Sequence, residues 1–325
     1  MLRMPEFEYH HPETAQEAVA LWNTLPDAMY VAGGTDLLPN MKHKLFTPKH
    51  VIGLSGLPKP QIREMDTAFE LDGGVTLHTI ATHPGIEKTL PALAQAAGLV
   101  AGPQIRRMGT IGGNVLLDTR CLYYNQSEFW REALGYCLKK EGTWCHVVGG
   151  PKTCVAAQSS DTVPVLLAMD ASIELLGPAG ARELKIRDLY QFNGMDHLKI
   201  EKGELLTKVK VPVSSGDWRG CYKKLRTRDS IDFPQLGVAV WGRWKSSVLE
   251  ELSIVVGAAN PKPRLVKGLD AFFGSDLNDE TIDSIAAMVH KQTRPQAAVH
   301  GDVNWRRAMA NVFVARALRE LNLKK

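Results

Sequence analysis

The sequence contains no Gly-x-Gly-x-x-Gly, no closely paired Cys-x2–4-Cys and no apolar run near the roughly 18 residues that span a bilayer. The first absence removes the dinucleotide fingerprint of a Rossmann fold. The second removes the usual zinc knuckle, and the third removes a transmembrane helix. The opening MLRMPEFEYHHPET has no apolar core of a secretory leader, so a cytoplasmic location is expected. Net charge is only +4, and basic stretches such as 42–44 and 223–228 read as solvated faces rather than a nucleic-acid track. Internal repeats and low-complexity segments are also lacking.

What remains is a chain of 325 residues with 44% hydrophobic and 23% charged content, too long for one ordinary core. Thr14-Ala-Gln-Glu17 is a capping box that opens an amphipathic helix through Leu21 and Trp22. Residues 29–32 and 51–54 read as strands, closing a first α/β unit at 1–55. A second unit, 56–214, has the pattern of a hairpin at 69–77 about Asp-Gly-Gly and a proline-entered helix at 91–100. Strand-like segments follow at 163–168, 171–176 and 205–211. Val213-Ser-Ser-Gly-Asp217 reads as a linker to a third unit, 215–325. That unit has paired strands at 235–244 and 249–258 and helices near 279–291 and 303–321. Mostly antiparallel strands mixed with helices predict an α+β fold.

Two glycine pairs stand out, Ala32-Gly-Gly-Thr-Asp36 and Thr110-Ile-Gly-Gly-Asn114. Adjacent glycines let a ligand approach the main chain, and successive N–H groups form a nest suited to a pyrophosphate. Thr35, Thr110 and Asn114 add polar side chains, and Asp36 would cap a helix starting at Leu37. Spacing alone equally allows two ordinary tight turns.

Four of the five cysteines fall within 34 residues as C-x15-C-x7-C-x8-C: Cys121, Cys137, Cys145 and Cys154. In a cytosolic chain such a cluster reads as metal ligands rather than disulfides. Four thiolates suit a zinc ion or an iron–sulfur cluster. The long gaps favour the larger object, a [4Fe–4S] cluster, without excluding zinc.

VAGGTDLLPNMK and PQIRRMGTIGGNV resemble the two FAD loops of molybdenum hydroxylase flavoprotein subunits, such as those of carbon monoxide dehydrogenase and xanthine dehydrogenase. The resemblance continues through Ser159-Ser-Asp161 and Tyr222-Lys-Lys-Leu-Arg, and covers essentially the whole chain. It implies a vanillyl-alcohol-oxidase-like (PCMH-type) FAD fold of two α/β subdomains and a C-terminal domain like that of CO dehydrogenase flavoproteins. The implied FAD contacts are Met29, Tyr30, Val31, Ala32, Gly33, Gly34, Thr35, Asp36, Val100, Thr110, Gly113, Asn114, Asp161, Leu206 and Lys224. Met29 stands where xanthine dehydrogenases carry a lysine, so a contact to the adenosine end would be missing. Lys224 would place a cation near the flavin; otherwise it is an exposed member of a basic run.

About 40 residues, near 116–157, are inserted where ordinary members run directly between loops, counting the extra length as one loop. Arg120-Cys-Leu-Tyr-Tyr-Asn-Gln-Ser-Glu-Phe-Trp130 is similar to the insertion of 4-hydroxybenzoyl-CoA reductase β subunits, whose four cysteines hold a [4Fe–4S] cluster. Tyr123, Tyr124, Phe129, Trp130 and Trp144 would then shield the cluster, while His146 is not expected as a ligand. The resemblance implies no catalytic residue on this chain, which would be an electron relay. Its partners would be a large molybdenum-cofactor subunit and a small subunit with two [2Fe–2S] clusters, in an (αβγ)2 assembly fed by a ferredoxin-like donor. An aldehyde or xanthine oxidoreductase flavin subunit, and a zinc-stapled binding module without flavin, are the alternatives.

Overall fold

The computed structural model describes residues 2–213 and 215–323, so Ser214 of the expected linker lies outside the described residues. Strands β1 (Glu8–His10), β2 (Ala28–Val31) and β3 (His50–Gly53) form a parallel sheet in the order β1-β3-β2. Parallel neighbours need crossovers, supplied here by helices Ala15–Thr24 and Leu37–Lys42. The first starts where the capping box places it: Glu17 N–H donates to Thr14 Oγ1 at 3.1 Å, and Glu13 N–H donates to the Glu17 carboxylate at 2.9 Å. Ala18, Val19, Ala28 and Ile52 bury against one another, and Leu205 from far along the chain completes their core.

The second sheet is antiparallel, in the order β4-β5-β8-β6-β7. Its strands are β4 (Ile62–Glu64), β5 (Ala68–Asp72), β6 (Ser172–Gly177), β7 (Gly180–Lys185) and β8 (Leu205–Pro212). Two expectations fail here. The hairpin at 69–77 does not form, because Thr76 Oγ1 accepts the Thr79 N–H at 3.2 Å and starts helix Leu77–Ala81 in place of a second strand. The strand expected at 163–168 is helix Thr162–Ala168, buried on every side. A short run with no polar face carries no period, so its β-branched valines could not decide between helix and strand. Helix Pro91–Gly98 matches its expectation.

The third sheet, in the order β12-β11-β10-β9, is also antiparallel. It holds β9 (Asp217–Leu225), β10 (Leu236–Lys245), β11 (Val248–Gly257) and β12 (Arg264–Leu265). Helices Asp279–Gln292 and Val303–Leu323 cover one face through Ile285, Val314 and Leu318. Buried Arg306 joins that cover to the sheet, donating to the carbonyls of Gln235, Ala258 and Gln296 at 2.8–2.9 Å. The fold is α+β, and among the described residues no helix is long and apolar enough to cross a membrane.

Candidate functional site

The first glycine pair follows β2 directly, and Gly34 is left-handed at φ +69°. A Cβ on Gly33 would stand 1.8 Å from the Met108 carbonyl oxygen, so this loop lies backbone-on-backbone against the segment leading to Thr110. Gly112 makes the next contact, its N–H donating to the Gly73 carbonyl at 2.9 Å. Gly73 in turn donates to the Thr207 carbonyl at 2.7 Å, beside Leu206. Close approaches therefore bring 29–36, 108–114 and Leu206 together. Thr110 Oγ1 accepts the Gly113 N–H at 3.1 Å, opening helix Ile111–Val115. Among the described residues, the N–H groups of Gly33, Gly34 and Thr35 donate to no protein acceptor. Three free successive donors around a left-handed glycine fit the pyrophosphate of a dinucleotide.

The neighbours of that nest are anchored. Met29 and Val31 pair with Val51 and Gly53, Ala32 is exposed, and the Tyr30 hydroxyl donates to the Gly203 carbonyl at 2.8 Å. Burial pushes the Tyr30 phenol far above its ordinary range. Asp36 stands at the helix start but does not cap it, because its backbone is helical (φ −112°, ψ −49°) rather than extended. Its carboxylate instead pairs with Arg120 and accepts from Asn40 Nδ2 at 3.1 Å. Burial raises the Asp36 pKa, with Arg120 opposing.

Asn114 Oδ1 accepts from the Ser160 and Thr162 hydroxyls at 2.6 and 2.7 Å, joining the second loop to the Asp161 segment. Asp161 is buried and accepts from the Tyr222 hydroxyl and from Lys224 Nζ, both at 2.8 Å. Lys224 also donates to the Leu99 carbonyl at 2.9 Å, one residue before the half-buried Val100. With its side chain 1% exposed, Lys224 is not a solvated member of the basic run. Burial pushes the Asp161 carboxyl up, against the pull of Lys224 and Tyr222.

Cys121, Cys137, Cys145 and Cys154 line one pocket, with Tyr123, Tyr124, Lys139 and His146 among its other walls. Three of the thiols are buried, Cys121 is half-buried, and none forms a disulfide. A tetrahedral zinc with 2.3 Å Zn–S bonds sets its sulfurs about 3.8 Å apart. Among the described residues no three of these sulfurs lie within 4.8 Å of one another, a wider spacing than that. Four thiolates are a donor set for either zinc or an iron–sulfur cluster. Burial pushes the Cys121 thiol up to about 11 and raises that of Cys154, so as free thiols they are poor nucleophiles. Gly194 packs against Cys154: a Cβ there would meet the Cys154 sulfur at 2.8 Å.

The aromatic shield is only partly as expected. Tyr124 is buried and Tyr123 half-buried, but Phe129 is 79% and Trp144 53% exposed, with Trp130 at the surface too. Phe129 and Trp130 sit on helix Glu128–Ala133, which turns Arg131 inward instead. Arg131 donates to the His43 and Lys44 carbonyls and to Glu128, docking the 116–157 loop on the end of helix Leu37–Lys42. His146 meets the Tyr136 carbonyl at 2.5 Å. Arg120, which sequence reasoning gave no role, stands next to Cys121 and reaches Asp36. Its guanidinium also lies 3.7 Å from the centre of the Phe233 ring. Gly194 was likewise given no role, Gly73 was read only as a turn residue and Tyr222 only as part of a motif; their contacts here are spatial, not sequential.

Residues 5–214 match the family described as FAD binding domain in molybdopterin dehydrogenase, and residues 220–321 match the CO dehydrogenase flavoprotein C-terminal domain. The chain belongs to this family. This flavin subunit is similar to the carbon monoxide dehydrogenase medium chain of Afipia carboxidovorans, at 30% identity over 96% of this chain and 95% of that one. It is 32% identical to the aldehyde oxidoreductase FAD-binding subunit of Escherichia coli over 73% of this chain and 77% of the relative. Carbon monoxide dehydrogenase from Hydrogenophaga pseudoflava has the same fold, with TM-score 0.80 and 26% identity over 98% of both chains. The protein is thus an FAD-binding medium subunit of the molybdenum hydroxylase family, and its enzyme class is oxidoreductase.

Proposed function

We propose that this flavin subunit also holds a [4Fe–4S] cluster on Cys121, Cys137, Cys145 and Cys154, and serves a 4-hydroxybenzoyl-CoA reductase. The observation that carries the reading is the pocket that gathers all four cysteines, tied by Arg120 to the Asp36 loop. When bound, the two groups supply one-electron storage and exchange between one- and two-electron chemistry. That suits a chain relaying electrons from a ferredoxin-like donor toward [2Fe–2S] clusters and a molybdenum cofactor on small and large partner subunits. The complex, a cytoplasmic (αβγ)2 assembly, would remove the phenolic hydroxyl of 4-hydroxybenzoyl-CoA to give benzoyl-CoA.

In this reading the N–H groups of Gly33, Gly34 and Thr35 receive the pyrophosphate, with Thr110, Gly113 and Asn114 alongside. Met29, Tyr30, Val31, Ala32, Asp36, Val100, Asp161, Leu206 and Lys224 complete the FAD surround. The units divide at 1–55, 56–214 and 215–325, with the cluster insertion at 116–157. A second reading, a flavin subunit of an aldehyde or xanthine oxidoreductase, is favoured by the 32% identity to the Escherichia coli aldehyde enzyme's subunit.

Metal, sulfide and flavin analysis of the purified chain tests the cofactor reading. About four irons and one FAD per chain are expected; zinc in place of iron would sink the cluster. Cys137→Ser should lose most of the iron, and retention of it would remove that residue from the ligand set. Benzoyl-CoA formation by the whole complex with a low-potential reductant supports the reductase; turnover of aldehydes alone supports the second reading.

A further inference from the structure

On the first sheet, away from the cysteine pocket, a third donor cluster forms from residues far apart in sequence. Glu8 and His10 are two apart on β1 and share a face, and the parallel register sets His50 of β3 beside Glu8. His10 Nε2 lies 3.1 Å from His50 Nδ1, and that same nitrogen lies 3.5 Å from Glu8 Oε2. All three donor atoms fall within 4.8 Å of one another, the one such group among the described residues. Tetrahedral zinc with bonds of 2.0–2.1 Å to nitrogen and oxygen sets neighbouring donors about 3.3 Å apart. The two measured edges bracket that spacing.

We propose that Glu8, His10 and His50 form a zinc site that pins β1 to β3. Two imidazoles and a carboxylate are a borderline ligand set suited to zinc, and water fills the fourth position. The imidazole planes are tilted by 48° with centroids 5.2 Å apart, so the rings are not stacked. Without metal, one of these nitrogens donates its hydrogen to the other. On binding, that ring moves its hydrogen to its second nitrogen, and no proton has to leave. Glu8, 68% exposed, leaves the site open to solvent, while His50, 17% exposed, is held in place. The competing account is a plain imidazole–imidazole hydrogen bond with a carboxylate nearby.

The test is calorimetric titration of zinc chloride into the chain loaded with FAD and iron, so that the cysteines are occupied. One zinc per chain is expected, with His10→Ala and His50→Ala each weakening binding about ten-fold or more. Zinc should raise the Tm of the wild type and not of His50→Ala. Glu8→Gln, at an exposed position that leaves folding intact, should weaken binding several-fold. Wild-type affinity in both histidine variants would place the zinc elsewhere and overturn the site, as would no uptake by the wild type.

Discussion

Gly33 has no room for even a methyl group, because the Met108 carbonyl occupies the place where its Cβ would stand. Gly33→Ala must push the two glycine loops apart, an overpacking cost of about 1–3 kcal/mol. FAD retained per chain after gel filtration should fall sharply. Gly113→Ala has only the Thr110 hydroxyl, at 3.2 Å, to displace, and should keep most of its flavin. Arg120 sits at a different kind of junction. Arg120→Gln would leave Asp36 without its charged partner in a half-buried place, costing about 1–3 kcal/mol. FAD affinity should drop while iron content holds, since Arg120 itself offers no ligand. Gly194→Ala should do the reverse by crowding the Cys154 sulfur, reducing iron while sparing FAD.

The segment just before the cysteine loop carries a pH dependence. His197 is buried and its Nε2 meets the Leu117 carbonyl at 3.0 Å. Burial holds its pKa below the ordinary 6.5. The folded chain therefore binds the proton less readily than the unfolded one. The stability this confers is complete above 6.5 and is lost as pH falls through the folded value. The Tm of the wild type should decline on acidification from pH 6.5 to about pH 5, and His197→Asn should flatten that decline. Elements with a local signal were legible beforehand: the Thr14 cap, the helix after Pro91 and the long pair β10–β11. Segment 163–168 was not, since burial on all sides erases the period. Nor was 69–77, where a threonine cap overrode the turn signal. The glycine pairs and cysteines were legible as residue types, but their partners were not. Arg120 and Asp36 are 84 residues apart, and no spacing rule links them.

Across the whole molecule, the C-terminal sheet reaches the FAD unit through Lys224 and Tyr222, which both donate to Asp161. With the Lys224 and Asp161 side chains 1% and 4% exposed, that ion pair is costly to break from one side. Lys224→Met should lose about 3–5 kcal/mol. Lys224→Met combined with Asp161→Asn should lose less than the sum of the two single changes, read by denaturant unfolding.

The small first sheet has its own long-range dependence. Tyr30 closes onto the Gly203 carbonyl, 173 residues later, and Leu205 fills the core beneath it. At about 5–20 residues per second, a ribosome needs roughly 10–35 s to make that stretch. Throughout that interval the apolar faces of Ala18, Val19 and Ile52 lack their last partner. The N-terminal sheet therefore completes its core only after translation has passed the start of β8.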